Sequence, residues 1–145
     1  MNNFFNRFGF VSWQLPVLLL LSILFWFNGI RIVRLFNYYS SWGGMGSVII
    51  FLSSFPVALF AIKGVTKILK ITDKQVYPAI TLIVAMVGLL HGITLTYRPS
   101  MYQATGESLM FATAWIVWFC GATLLTLFFV QQKNSSSDKN KNTTN

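Results

Sequence analysis

Residues 77–96 read YPAITLIVAMVGLLHGITLT, twenty residues without a lysine, arginine, aspartate or glutamate. A helix rises about 1.5 Å per residue and needs roughly 20 apolar residues to cross about 30 Å of hydrocarbon. This run meets that length. So does LMFATAWIVWFCGATLLTLFFV at 109–130. The block at 45–62 is slightly short, but the helix can continue through Lys63, whose long stem can snorkel to the interface. The first block, 15–30, runs on past Arg31 and Arg34 into Leu35 and Phe36. It predicts one helix over 13–36, with Pro16 in the first turn, where its missing N–H costs little.

One such run is compatible with a buried helix of a water-soluble protein. Four in 145 residues, with 54% hydrophobic and 10% charged residues, leave almost no polar surface to wrap such a fold. Long continuous runs also disagree with the short alternating strands of a membrane barrel. The expected fold is therefore all-α: an integral membrane four-helix bundle, up-and-down and antiparallel, with spans at 13–36, 45–63, 77–96 and 109–130.

Charge gives the orientation. Arg7, Lys63, Lys67, Lys70, Lys74, Lys133, Lys139 and Lys141 flank one side of these spans, and Arg31, Arg34 and Arg98 flank the other. Positive residues accumulate in cytoplasmic segments, so both termini and the middle loop are expected in the cytoplasm of a bacterial cell. The net charge of +8 then reports topology, and no basic segment with interleaved aromatics suggests nucleic acid. The first span lacks a small-residue cleavage site and is expected to be retained.

Outside the spans, 1–12 carries Phe4, Phe5, Phe8 and Phe10 and suits the membrane interface. Residues 131–145 are polar, rich in Ser, Asn, Lys and Thr, and are expected to form a disordered cytoplasmic tail. Lys63, Lys67, Lys70 and Lys74 share a stripe if the second helix continues past Ile62, and would contact anionic headgroups. Asp73 is a candidate cap before the third span. The short loop there predicts a hairpin of spans two and three.

In lipid, helices associate through close packing and polar contacts. Ala85, Gly88 and Gly92 form a small-residue patch on the third span, and Ala114 and Gly121 one on the fourth. Each could admit another span of this chain or another subunit. Trp13, Tyr38, Tyr39, Trp42, Tyr97 and Tyr102 lie at predicted boundaries, where amphipathic rings favour the headgroup layer. Trp26, Trp115, Trp118 and the lone Cys120 lie deeper and read as packing residues.

One constellation carries chemistry. Topology brings Arg31, Arg34, His91, Arg98 and Glu107 to one membrane level. Ionisable groups near hydrocarbon face a cavity or pair up, so these five are the candidate contacts for an anionic or lipidic ligand. The competing reading has the arginines snorkelling to phosphates, His91 bonded to a neighbouring helix, and Glu107 favouring the amino end of the fourth helix. One histidine, no acidic pair and no nucleophile beside a base give no catalytic, metal or cofactor motif.

Three stretches, Ile30-Arg31-Ile32-Val33-Arg34-Leu35-Phe36, Gly88 through Pro99-Ser100-Met101-Tyr102, and Ala114-Trp115-Ile116-Val117-Trp118, are together similar to an uncharacterised family of small four-span bacterial membrane proteins. The resemblance covers about half the chain and implies the four-span fold without an activity. Members often carry an acid near the position of His91, a departure that weakens a family role for this histidine. The expected function is a non-enzymatic accessory or interaction subunit of the bacterial cytoplasmic membrane. Its partners would be membrane lipids, a second copy or another membrane protein. The alternative is a small carrier or binding module for an anionic or lipidic ligand, working as an oligomer.

Overall fold

The computed structural model describes residues 9–38 and 44–142. The expectations placed on Phe4, Phe5, Arg7, Phe8, Tyr39 and Trp42 lie outside the described residues, as do those on the side chains of Tyr38, Lys133, Lys139 and Lys141. The helices are α1 (Gln14–Tyr38), α2 (Gly44–Leu69), α3 (Asp73–Tyr97) and α4 (Glu107–Asn142), with a short 3-10 turn, Pro99–Tyr102, between α3 and α4. All four helices are long and apolar enough to cross a membrane. They contain the four expected spans apart from Trp13, and α2, α3 and α4 extend beyond them, to Leu69, from Asp73 and to Asn142.

The boundaries follow local rules. α2 ends where Lys70 adopts a left-handed conformation (φ 49°) and the Ile71 N–H donates to the Thr66 carbonyl at 3.4 Å. This is the Schellman closure, usually built on glycine. It breaks the expected lysine stripe: Lys63 and Lys67 lie on α2, Lys70 in the turn and Lys74 in the first turn of α3, all exposed. The cap of α3 is Thr72 rather than Asp73, with the Thr72 N–H donating to Gln75 Oε1 at 2.9 Å. α4 continues to Asn142, so residues 131–142 are helical where an irregular tail was expected. Adding residues to an existing helix costs far less than nucleating one, and Gln131, Gln132 and Lys133 are good helix formers.

α1 packs on α3, α3 on α4, and α4 on α2. α2 and α3 touch little despite their short loop, so the closest partner of α2 is α4 and the expected two–three hairpin is not a packed pair. α1 and α2 make at most a marginal contact. Two apolar clusters fill the bundle. One joins Leu18, Leu69, Val76, Ala79 and Leu127, and the other joins Ile30, Val33, Ile50, Tyr102 and Ala112.

The small residues that allow close approach are Ala58, Ala79, Ala112 and Ala122, all buried. The expected packing residues Ala85, Gly92, Ala114 and Gly121 are instead exposed, and Gly88 is half-buried. A Cβ added at Gly88, Gly92 or Gly121 would meet nothing within 4 Å. Only 22% or 28% of each span's apolar window is buried inside the bundle. The outward faces of Phe60, Leu89 and Val117 are therefore as apolar as the core, which suits lipid and not water.

Two buried glutamines tie the first cluster's end together. Gln14 Nε2 donates to the Leu69 carbonyl at 3.1 Å while its Oε1 accepts from the Val11 N–H at 2.9 Å. Gln75 Nε2 donates to the Gly9 carbonyl. Removing one partner of a buried hydrogen bond costs about 1–3 kcal/mol, since the other is left unsatisfied. Gln14→Ala is expected to lower the unfolding free energy in detergent by that amount, whereas Lys67→Ala on an exposed face of α2 leaves it unchanged.

Candidate functional site

His91 sits one turn and a half before the end of α3 and is 3% exposed. Its Nδ1 lies 2.6 Å from the Tyr102 hydroxyl in the 3-10 turn, and Tyr102 is fully buried. This corrects the expectation of Tyr102 as an interfacial ring. Pro99 opens the 3-10 turn and Gln103 closes it with a left-handed φ of 51°, which folds Tyr102 back under α3. Tyr97, by contrast, is 76% exposed, as the interfacial reading requires.

The other edge of the imidazole meets α1. A Cβ on Gly29 would lie 2.7 Å from His91 Nε2 and 2.9 Å from Cε1, so only glycine allows this approach. Beside it, Trp26 Nε1 donates to Thr94 Oγ1 at 3.1 Å. Arg34 Nε donates to the Met101 carbonyl at 2.6 Å, and Asn37 Nδ2 to the Tyr102 carbonyl at 3.1 Å. The polar groups at this end thus fasten α1, α3 and the turn to one another.

A cavity of about 470 Å³ lies beside this network, within the usual range of small-molecule sites. All four helices line it. Its exposed lining residues, Asn28, Ile32, Leu35, Ser53 and Val57, belong to α1 and α2 alone. Every lining residue from α3 and α4 is buried or half-buried. The mouth is therefore the gap between α1 and α2, and the floor is α3 and α4. Pro56 lies in α2 at the mouth, where it removes the N–H that would answer the Leu52 carbonyl.

The lining is overwhelmingly apolar. None of the described lining residues is a lysine, arginine, aspartate or glutamate. The hydroxyls of Ser53, Ser54 and Thr123 donate to carbonyls of their own helices. Cys120, read as a packing residue, is half-buried and lines the cavity.

Of the five candidate residues, His91 alone lines the cavity. Arg31 and Arg98 are exposed, and Arg34 is half-buried against Met101. Glu107 is exposed in the first turn of α4, where a negative charge is favoured by the helix dipole. Among the described residues it forms no ion pair with the three arginines. The structure thus does not bring the charged members together: Arg31, Arg98 and Glu107 are exposed, and Arg34 is taken up by the Met101 carbonyl. Gly29 and Thr94 escaped the sequence reading, and Trp26 was read only as a packing residue; an apolar face with one small residue looks like any other span. No group of three His, Cys, Asp or Glu residues among the described residues could hold a metal. No protein-family model, curated protein or solved structure matches this chain.

Burial pushes the Tyr102 hydroxyl from 10 up to about 12. Between these values the unfolded chain releases a proton that the folded chain keeps. The contribution of Tyr102 is intact below pH 10 and falls as the pH rises towards 12. Thermal unfolding across this window is expected to show that decline in the wild type and a shallower one in Tyr102→Phe. Gly29→Ala is expected to cost about 1–3 kcal/mol through overpacking against the pinned imidazole, measured by the same unfolding assay.

Proposed function

We propose that this chain is a non-enzymatic, multi-pass protein of the bacterial cytoplasmic membrane that binds a lipidic molecule between α1 and α2. The carrying observation is the cavity whose mouth is the gap between α1 and α2. Its walls are apolar and its mouth opens sideways from the bundle, the direction of the hydrocarbon for a spanning helix pair. An anionic ligand is disfavoured, because Arg31, Arg34 and Arg98 do not line the cavity.

The two clusters support the up-and-down, antiparallel order. The start of α1, the end of α2 and the start of α3 share one cluster, and later residues of α1 and early residues of α2 and α4 share the other. The excess of basic residues on the side of the α2–α3 loop supports cytoplasmic termini. Lys63, Lys67, Lys70 and Lys74 are exposed there and suit anionic headgroups.

A second reading, an interaction subunit, rests on a different observation: Gly88, Gly92 and Gly121 face open space. Small residues on an outward helix face suit close approach by another membrane helix. The readings separate by substitution. Val57→Trp at the mouth is expected to abolish lipid co-purified in mild detergent, read by native mass spectrometry, and to leave the oligomeric state unchanged. Gly92→Leu should change neither; loss of a partner or of self-association with bound lipid retained would favour the interaction reading.

A further inference from the structure

The cavity has a polar end and an apolar end. His91 and Trp115 mark the polar end: Trp115 belongs to the cluster that holds Tyr102, the partner of His91. At the other end the lining residues Ile62, Val65, Ile80 and Ile83 belong to the opposite cluster. They offer hydrocarbon alone.

Two groups at the polar end have unmade hydrogen bonds. Nδ1 of His91 is engaged by Tyr102, and among the described residues no hydrogen bond reaches Nε2. Trp115 is 7% exposed, packs edge-on against Phe36 at 5.8 Å, and its Nε1–H has no partner among the described residues. A buried polar group without a partner is costly, and in a native protein it marks strain, a functional role, or a place for a bound water or ligand. Charge is absent from the lining. An ionised headgroup placed there would lose its solvation without a counter-ion to offset the loss.

We infer that the cavity binds one uncharged lipid, its headgroup oxygen hydrogen-bonded at His91 Nε2 beside Trp115 and its hydrocarbon tail running toward Ile62, Val65, Ile80 and Ile83. The inference rests on the lipid-binding reading above and adds the headgroup chemistry and the direction of the tail. When the Tyr102 hydroxyl donates to Nδ1, Nε2 carries the hydrogen and takes a carbonyl. When Nδ1–H donates to the hydroxyl, Nε2 accepts from an alcohol. A quinone bearing an isoprenoid tail supplies a carbonyl, and a diglyceride supplies an alcohol beside its ester carbonyls. Both satisfy the same site without a charge.

His91 is the single histidine of the chain, so protein labelled with ¹⁵N-histidine reports one imidazole. The full chain in detergent micelles would be titrated with decylubiquinone, dioctanoylglycerol, dodecyl phosphate and squalane. Decylubiquinone or dioctanoylglycerol is expected to shift the Nε2 resonance at saturating amounts, and whichever does so identifies a quinone or a diglyceride as the source. Affinity for that probe should fall roughly three- to tenfold in His91→Phe, the loss of one hydrogen bond. Trp115→Phe, which keeps an aromatic ring there and removes the indole N–H, guards against misfolding of the histidine variant and should weaken the same probe. Squalane binding as tightly as the uncharged lipids, with no effect of either substitution, would overturn the headgroup assignment and leave lipid binding standing. Preference for dodecyl phosphate would overturn the uncharged ligand. Binding of none of the four would overturn both.

Discussion

The hydrogen bond between His91 Nδ1 and the Tyr102 hydroxyl organises this end of the bundle. It is made in an apolar interior, where an unmade polar interaction is costly and a made one holds its geometry. It draws the turn after α3 back against α3, and that turn then supplies the Met101 and Tyr102 carbonyls to Arg34 and Asn37 of α1. With Gly29 admitting the other edge of the imidazole, α1 is committed to α3. One side chain therefore fixes which pair of helices closes and also lines the cavity.

α2 is held by a different partner. Trp118 Nε1 of α4 donates to the Phe51 carbonyl at 3.0 Å, and the Trp118 ring packs on Phe51 and Phe55 at 5.6 and 6.1 Å. With α1 fastened to α3 and α2 to α4, the first two helices make at most a marginal contact, with Gln14 reaching the end of α2 at Leu69. The bundle is thus tied at one end and parted along its length, and the cavity is what the parting leaves. Filling it with a ligand would restore contacts that neither α1 nor α2 makes with the other.

The spans were legible in the sequence because the rule behind them is one of length and polarity, and 77–96 satisfies it unaided. Partner choice was not. When the outward face meets hydrocarbon, Leu89 or Val117 outside is as apolar as Ile83 or Ile116 inside, so no amphipathic signal marks the buried face. The Gly88–Gly92 spacing pointed to a packing face and lies outside for that reason. His91 was singled out as the lone histidine, and the structure buries it with a hydrogen bond to Tyr102. Its partner was hidden because Tyr102, next to a predicted boundary, has the composition of an interfacial aromatic and needs the 3-10 turn to become buried. Gln14 and Gln75 were overlooked as ordinary polar residues of short segments, although burial and a carbonyl partner make each a tie between elements.

The separation of α1 from α2 is best tested by disulfide crosslinking in native membranes, with Cys120 replaced by serine. Ile32→Cys with Val57→Cys places thiols on α1 and α2 across the mouth, and Phe51→Cys with Trp118→Cys places them at the α2–α4 contact. The account predicts that the second pair forms a disulfide readily and that the first does so only through a long bifunctional reagent. Equal disulfide formation by the first pair would mean that α1 and α2 close on each other, and would contradict the cavity.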